Sequence, residues 1–338
     1  MNARSEMKTR FLQAAGWGDA SRCFLAGDAS DRSYDRLSRN GKTAVLMDAP
    51  PGKGDDPADF LRIARHLRGL GLSAPAALAE DLPNGFLLLE DLGDAVFARV
   101  LQAAPGAEPA LYAAAADVLL HLQAAPAPYG LPDLTAEDWA AAATFALDWY
   151  RFAITGDRME TASFTDCLAG LLATHADRPR VLILRDFHAE NLLWLPDRAG
   201  LARVGLLDFQ LAQMGQPGYD LVSLLQDARR DVAQATEAAV CQRFCTARGD
   251  DADTFHRAYA VLGAQRALRI LGIFARLCLH AGKAGYLALI PRVWGQLQRN
   301  LAHPALAPLA AFCQAHLPEP TPDRLARIAA QCRKPPAP

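Results

Sequence analysis

Hydrophobic and polar positions along this chain follow two regimes, and the change falls near residue 95. Before it, short β-rich runs alternate with turn residues. Residues 22–25 and 34–37 read as strands flanking the polar stretch 27–33, and Asn40-Gly41 is a strong hairpin signal leading into an apolar strand at 43–47. Asp55-Asp56-Pro57 then supplies a helix N-cap with proline at the first helical position. Phe60, Ile63, Ala64, Leu67 and Leu70 follow at helical spacing, and Gly71 stops the helix. Residues 86–89 form a further apolar strand that runs into Glu90-Asp91-Leu92-Gly93. Strands, one helix, strands and a hinge-like polar segment describe a small α+β lobe over residues 1–93.

Beyond it the periodicity becomes helical. Alanine- and leucine-rich helices are expected around 107–125 and 136–154, with their apolar stripes facing a core. One β-like interlude interrupts them: a short buried strand at 181–184, then 192–195 and 204–207 bracketing the turn residues of 196–200 as a hairpin. Helices resume from Tyr219 to about residue 330, and the proline-rich tail 334–338 is expected to be loose. The second lobe, 94–333, is thus mostly helical.

Composition narrows the function classes. With 338 residues, 51% of them hydrophobic, the chain can bury a sizeable core. A net charge of −2 with no long basic block argues against nucleic-acid or anionic-membrane partners. The opening MNARSEMKTRFLQAAGW reads as an amphipathic helix rather than a signal peptide, and no apolar run approaches the roughly 20 residues that span a bilayer. A cytoplasmic protein with no evident obligate protein partner is expected. The seven cysteines are scattered, odd in number and without zinc spacing; Cys241 and Cys245, four apart, read as buried reduced thiols.

Two segments place polar residues at fixed spacing within apolar strands. One is Leu184-Arg-Asp186-Phe-His-Ala-Glu-Asn191, the other Leu206-Leu-Asp208-Phe-Gln210. Phosphoryl transfer needs a carboxylate to orient and deprotonate the attacking hydroxyl, and oxygen ligands for Mg²⁺ on the phosphates. An Asp, an Asn five residues later, a hairpin and a second Asp match that need: Asp186 as base, Asn191 and Asp208 as metal ligands. The bland alternative is a pair of solvated turns.

Arg185-Asp186-x4-Asn191 resembles the catalytic loop of protein kinases and aminoglycoside phosphotransferases, and Asp208-Phe209 resembles the start of their metal-binding triplet. Further segments, Gly27-Asp-Ala-Ser-Asp-Arg-Ser-Tyr34, Val45-Leu-Met-Asp-Ala-Pro-Pro51, Gly85-Phe-Leu-Leu-Leu-Glu-Asp-Leu-Gly-Asp94 and Gly218-Tyr-Asp-Leu-Val-Ser-Leu-Leu-Gln-Asp227, are similar to one branch of that superfamily. It is the anomeric sugar kinases, which phosphorylate N-acetylmuramate and N-acetylglucosamine at the C1 hydroxyl in cell-wall recycling. The resemblance covers roughly residues 10–320. It implies a two-lobed protein-kinase-like α+β fold, ATP and Mg²⁺ as cofactors, and a small sugar as partner. It also implies that Ser30, Asp31, Arg32 and Ser33 lie in the loop over the ATP phosphates. Glu90 and Leu92 would offer hinge backbone groups to adenine, and Asp220 would accept hydrogen bonds from the catalytic-loop backbone and so hold Asp186 in place.

The chain departs from the kinase pattern at three points. Met47 stands where the phosphate-binding lysine is expected, and the following helix contains Asp59 but no glutamate, so the usual lysine–glutamate pair cannot form. Arg32 is the first candidate for the missing cation. Leu184 replaces the histidine before Arg185-Asp186, and Gln210 replaces the glycine of the triplet, placing an amide near the substrate. Arg185, His188 and Glu190 are candidates for the sugar site. Trp149-Tyr150 could stack on a sugar ring, although core packing is the better reading of that pair, and Arg151 is a guess for a carboxylate-reading cation. Competing readings are a kinase for an aminoglycoside, an amino alcohol or another sugar, and a nucleotide-binding pseudokinase. The arginines of the late helices (229, 230, 243, 266, 269, 276) disfavour a polycationic acceptor.

Overall fold

A computed structural model describes residues 3–27, 32–177 and 179–333. Helix α1 (Ala3–Ala14) precedes β1 (Ser21–Gly27), β2 (Ser33–Arg39) and β3 (Lys42–Asp48). Then come α2 (Pro57–Gly69), β4 (Ala77–Asp81), β5 (Phe86–Glu90), α3 (Phe97–Ala103) and α4 (Glu108–Ala124). Next are α5 (Ala136–Ala143), α6 (Phe152–Thr155), α7 (Ala162–His175), β6 (Val181–Ile183), β7 (Leu192–Trp194), β8 (Val204–Leu206) and β9 (Gln213–Gly215). Helices α8 (Tyr219–Leu225), α9 (Gln234–Arg248), α10 (Ala252–Leu279), α11 (Ile290–Leu301), α12 (Ala307–His316) and α13 (Pro322–Ala330) complete the order. Packing divides the chain into two compact units, Met1–Gly130 with Leu184–Ala212, and Leu131–Ile183 with Gln213–Pro338.

The first unit is built on a five-stranded antiparallel sheet in the order β1-β2-β3-β5-β4. Asn40 and Gly41 close the β2–β3 hairpin as a two-residue turn, with φ of 49° and 72°. Both values lie in the left-handed region that such a turn requires and that Asn-Gly tolerates best. One sheet face is covered by α1, whose Phe11 and Leu12 cluster with Leu37, Ala44, Leu46, Phe86 and Leu88. Met47 pairs in register with Tyr34 and Leu87, points to the other face and is fully buried. Helix α2 starts where the sequence places it: the Asp56 carboxylate accepts the Ala58 N–H at 2.8 Å, and Pro57 occupies the first turn. Its end is closed by the Leu72 N–H on the Leu67 carbonyl and by Gly71 at φ 77°.

Segment 184–212 groups with this unit because hydrogen bonds tie its hairpin to it. The Leu206 N–H donates to the Ser73 carbonyl at 2.8 Å, and the Ser73 hydroxyl donates to the Ala202 carbonyl at 2.6 Å. Arg198 donates to the Ser73 hydroxyl at 2.7 Å and to Glu90 Oε1 at 2.6 Å. The Ala98 N–H donates to the Ala189 carbonyl at 3.1 Å, inside the expected catalytic loop.

In the second unit α10 is the core helix. Its 28 residues are long and apolar enough to cross a membrane by composition, yet 78% of its most apolar window is buried within the protein. It packs against α5, α7, α8, α11 and a wide helical turn at Ala146–Arg151. Tyr150 in that turn is fully buried and donates to the Pro318 carbonyl at 2.6 Å, so it is a core residue; Trp149 is half-buried beneath the Arg276 guanidinium. Cys241 and Cys245 are buried free thiols, as expected. Burial pushes the thiols of Cys241, Cys278 and Cys313 up to about 12.

Candidate active site

Asp186 lies in a backbone turn whose shape is unusual for side-chain-bearing residues. Arg185 has φ 71°, and the Asp186 N–H donates back to the Leu184 carbonyl at 2.9 Å. Asp208 has φ 57°. Left-handed backbone at a non-glycine residue costs on the order of 1–3 kcal/mol and survives only where surroundings enforce it. At Asp208 the enforcement is visible: Phe209 is fully buried and stacks on Phe60 of α2, ring centroids 4.9 Å apart and planes 23° apart.

Asn191 joins the two aspartates. Its N–H donates to the His188 carbonyl and its own carbonyl accepts from the Leu207 N–H, both at 2.9 Å, which fixes the loop to the strand leading to Asp208. Its side-chain Nδ2 donates to the Asp186 carbonyl at 2.9 Å and lies 3.4 Å from Asp208 Oδ2. With the nitrogen committed there, Oδ1 is the atom left for another partner. The half-buried Asp186 carboxylate has no hydrogen bond or ion pair among the described residues.

This donor set suits Mg²⁺. Asp208 supplies a carboxylate and Asn191 an amide oxygen, while Gln210 Oε1, in a residue only 7% exposed, is buried beside them with no hydrogen-bond partner among the described residues. Among the described residues no group of three or more His, Cys, Asp or Glu could form an all-protein cage. Mg²⁺ needs none, because it is usually held by one or two side chains together with phosphate oxygens and water.

Arg32 reaches the same place. It is 4% exposed, and its Nη2 lies 3.4 Å from Asp208 Oδ1 and 3.6 Å from Asp55 Oδ2. Gln210 Nε2 donates to Asp208 Oδ1 at 2.9 Å and lies 3.4 Å from Asp55 Oδ2. Ser33 opens β2, paired with Gly27 and Asp48. Ser30 and Asp31 lie outside the described residues.

The expected hinge shows a division of labour at Glu90. Its N–H is taken by the Ala76 carbonyl at 2.8 Å, and its carboxylate by Arg198, the Ala76 N–H and Arg68. Leu92 lies two residues beyond β5. Sequence reasoning missed Arg36, which donates to Asp94 Oδ2 at 2.7 Å and Asp91 Oδ1 at 3.0 Å from the sheet face that also carries Met47. The hydrogen bond from Arg36 holds the Asp94 carboxyl below its usual range, with burial opposing. Alternation along β2 puts Arg36 on that face, but nothing local names its partners.

Of the acceptor-site candidates, His188 is buried with Nε2 3.4 Å from Asn191 Nδ2, Arg185 is half-buried, and Glu190 is exposed. Asp220 is fully buried in the first turn of α8. Arg151 lines a cavity of about 780 Å³ within the second unit, beside Trp294, Gln298, Glu319 and Arg324.

Residues 22–260 match the phosphotransferase enzyme family, APH. An N-acetylmuramate/N-acetylglucosamine kinase of Caulobacter vibrioides is 40% identical over 356 aligned positions, covering 94% of this chain and 98% of that one. A protein of the same description from Pseudomonas aeruginosa is 34% identical, covering 90% and 92%. Among solved structures, a choline/ethanolamine kinase family protein from Mesorhizobium loti superposes with a TM-score of 0.61 at 16% identity, covering 97% of this chain and 99% of its own. A likeness at that identity speaks for the fold alone, and the fold is the protein-kinase-like α+β fold, with a strand-rich N-terminal part and a mostly helical remainder.

Proposed function

Since the chain belongs to the phosphotransferase enzyme family, we propose that it is an ATP-dependent sugar kinase acting on the anomeric C1 hydroxyl of N-acetylmuramate, N-acetylglucosamine or both. The observation that carries this reading is the joint placement of Asp186, Asn191 and Asp208, drawn together by the two contacts of the Asn191 amide nitrogen. Related chains described as N-acetylmuramate/N-acetylglucosamine kinases favour the acceptor, and a role in cell-wall sugar recycling in the cytoplasm is part of the same proposal.

Asp186 orients the C1 hydroxyl and accepts its proton as the hydroxyl oxygen attacks the γ-phosphorus in line; the bond from that phosphorus to the β–γ bridging oxygen breaks and ADP leaves. An anomeric hydroxyl is more acidic than an ordinary alcohol, so a carboxylate suffices as base. Asn191 and Asp208 would hold Mg²⁺, which neutralises charge on the phosphates when bound. Arg32 and Ser33, with Ser30 and Asp31, hold the phosphates from the loop side, and the Glu90 carbonyl and Leu92 backbone take the adenine edge. Gln210, Arg185, His188 and Glu190 face the sugar, and Asp220 steadies the catalytic loop. The division into lobes at 93/94 belongs to this reading, nucleotide on the first and acceptor on the second.

Phosphorus NMR of the product from each sugar tests it. Phosphate on C1 is expected, and Asp186→Asn should lower turnover by roughly 10²–10⁴. Transfer to choline or an aminoglycoside but to neither sugar would replace the acceptor assignment, and near-normal turnover in Asp186→Asn would remove Asp186 from the mechanism.

A further inference from the structure

Four side chains from three separate stretches of the first unit form a closed ring of contacts. Arg32 Nη2 approaches both Asp208 Oδ1, at 3.4 Å, and Asp55 Oδ2, at 3.6 Å. Gln210 Nε2 approaches the same two oxygens, at 2.9 and 3.4 Å. Two donors thus each face two acceptors, and the two carboxylates are held near one another despite their like charge. The Arg32 side chain is 3% exposed, against 27% for Asp55 and 35% for Asp208. A guanidinium that deeply buried requires fixed anionic partners.

Asp55 has no other visible task. The N-cap of α2 is its neighbour Asp56, whose carboxylate accepts the Ala58 N–H. Helix capping therefore does not explain an acidic residue at 55. Its contacts run only to Arg32 and Gln210 among the described residues.

We propose that Asp55 is a positioning residue for Arg32, and that the Arg32–Asp55 pair does here what a strand lysine and a helix glutamate do in kinases that possess them. The proposal rests on the reading that nucleotide phosphates come to the Asp208 side of the site. Met47 at the lysine position is fully buried between Tyr34 and Leu87, so β3 offers no cation at that position. The cation enters instead from the residue before β2, and its carboxylate from the residue before the N-cap of α2. Without nucleotide, Arg32 is shared between Asp55 and Asp208. In the nucleotide complex Arg32 would contact the phosphates while Asp55 keeps it aimed. Gln210 bridges the two carboxylates.

Equilibrium binding of ATP with Mg²⁺, followed by calorimetry, tests this in the full chain with four variants: Asp55→Asn, Arg32→Ala, the double variant and Asp56→Ala. Asp55→Asn should weaken binding about tenfold, as the ion pair that aims Arg32 is lost. In the Arg32→Ala background the same substitution should change affinity less than twofold, because Asp55 acts mainly through Arg32 and Gln210 still has Asp208 as its nearer partner. Asp56→Ala, which removes the helix cap, should lower the thermal midpoint and leave affinity unchanged. Full additivity of the Asp55 and Arg32 effects overturns the proposal while leaving nucleotide binding intact. A wild-type chain that binds no ATP overturns the proposed function along with it.

Discussion

Phe60→Leu tests whether packing in α2 is what holds Asp208 in its left-handed backbone. Phe60 is 5% exposed and Phe209 is fully buried, with ring centroids 4.9 Å apart in a stacked arrangement. Such a pair contributes about 0.5–1.5 kcal/mol beyond the area it buries. Leucine keeps most of the apolar volume, so the expected loss is about 1–2 kcal/mol once a small packing defect is added. Alanine would cost about 3–5 kcal/mol, too large a share of a total that is typically 5–15. The stability loss is read from urea denaturation, where a slope of about 3 kcal/mol per molar converts it to a midpoint shift of about 0.5 M. The functional part is separate. Phe209 is covalently next to Asp208, whose φ of 57° must be enforced from outside, so a looser Phe209 lets the carboxylate drift from Asn191. Affinity for ATP with Mg²⁺ should fall several-fold in Phe60→Leu. Ile63→Val is the comparison: Ile63 is also buried on α2, and the change costs a similar 0.5–1.5 kcal/mol while leaving both rings in place. If both variants reduce affinity equally, or neither does, the link from ring stacking to Asp208 is wrong.

Gly85→Ala should be strongly destabilising: Gly85 has φ 72°, and an added Cβ would lie 1.9 Å from the Ala49 carbonyl oxygen, a backbone atom that cannot give way. A thermal midpoint within a degree of wild type would contradict that. The buried thiols of Cys241, Cys278 and Cys313, lifted from an ordinary 9.0 to about 12 chiefly by burial, predict alkaline destabilisation. The folded state keeps protons there that the unfolded chain releases. Their stabilisation is therefore complete below pH 9 and is lost as pH rises toward 12, on the order of 1 kcal/mol per thiol by pH 10. Urea midpoints measured from pH 8 to 10 should fall more steeply in wild type than in a variant with all three replaced by alanine, and parallel slopes would discard this account.

Much of the site was legible because its rules are local. The Asn40-Gly41 turn, the Asp56 cap with Pro57, and the Asp186 to Asn191 spacing each lie within a few residues of chain, where backbone geometry and hydrogen-bond reach decide the outcome. Strand β4 was missed because its faces are largely exposed and carry no alternation to read, and β9 because three residues become a strand only by pairing with β6. Arg32 could be nominated from the missing lysine, but Asp55 looked like helix-start chemistry beside Asp56.

What the sequence determined by itself was the supply of chemistry: one carboxylate on a loop, an amide and a second carboxylate at kinase-like spacing, and a cation from a polar loop. What only the tertiary structure decided was which of these meet. Arg32 and Asp208 are 176 residues apart, and Gln210 and Asp55 are 155 apart. Arg36 finds Asp91 and Asp94 across more than fifty. Period and propensity act over a turn or a strand and carry no information at those separations. Such partners are chosen when the sheet, α2 and the 184–212 segment pack, because a buried guanidinium or carboxylate is tolerated only where packing delivers an opposite charge to it.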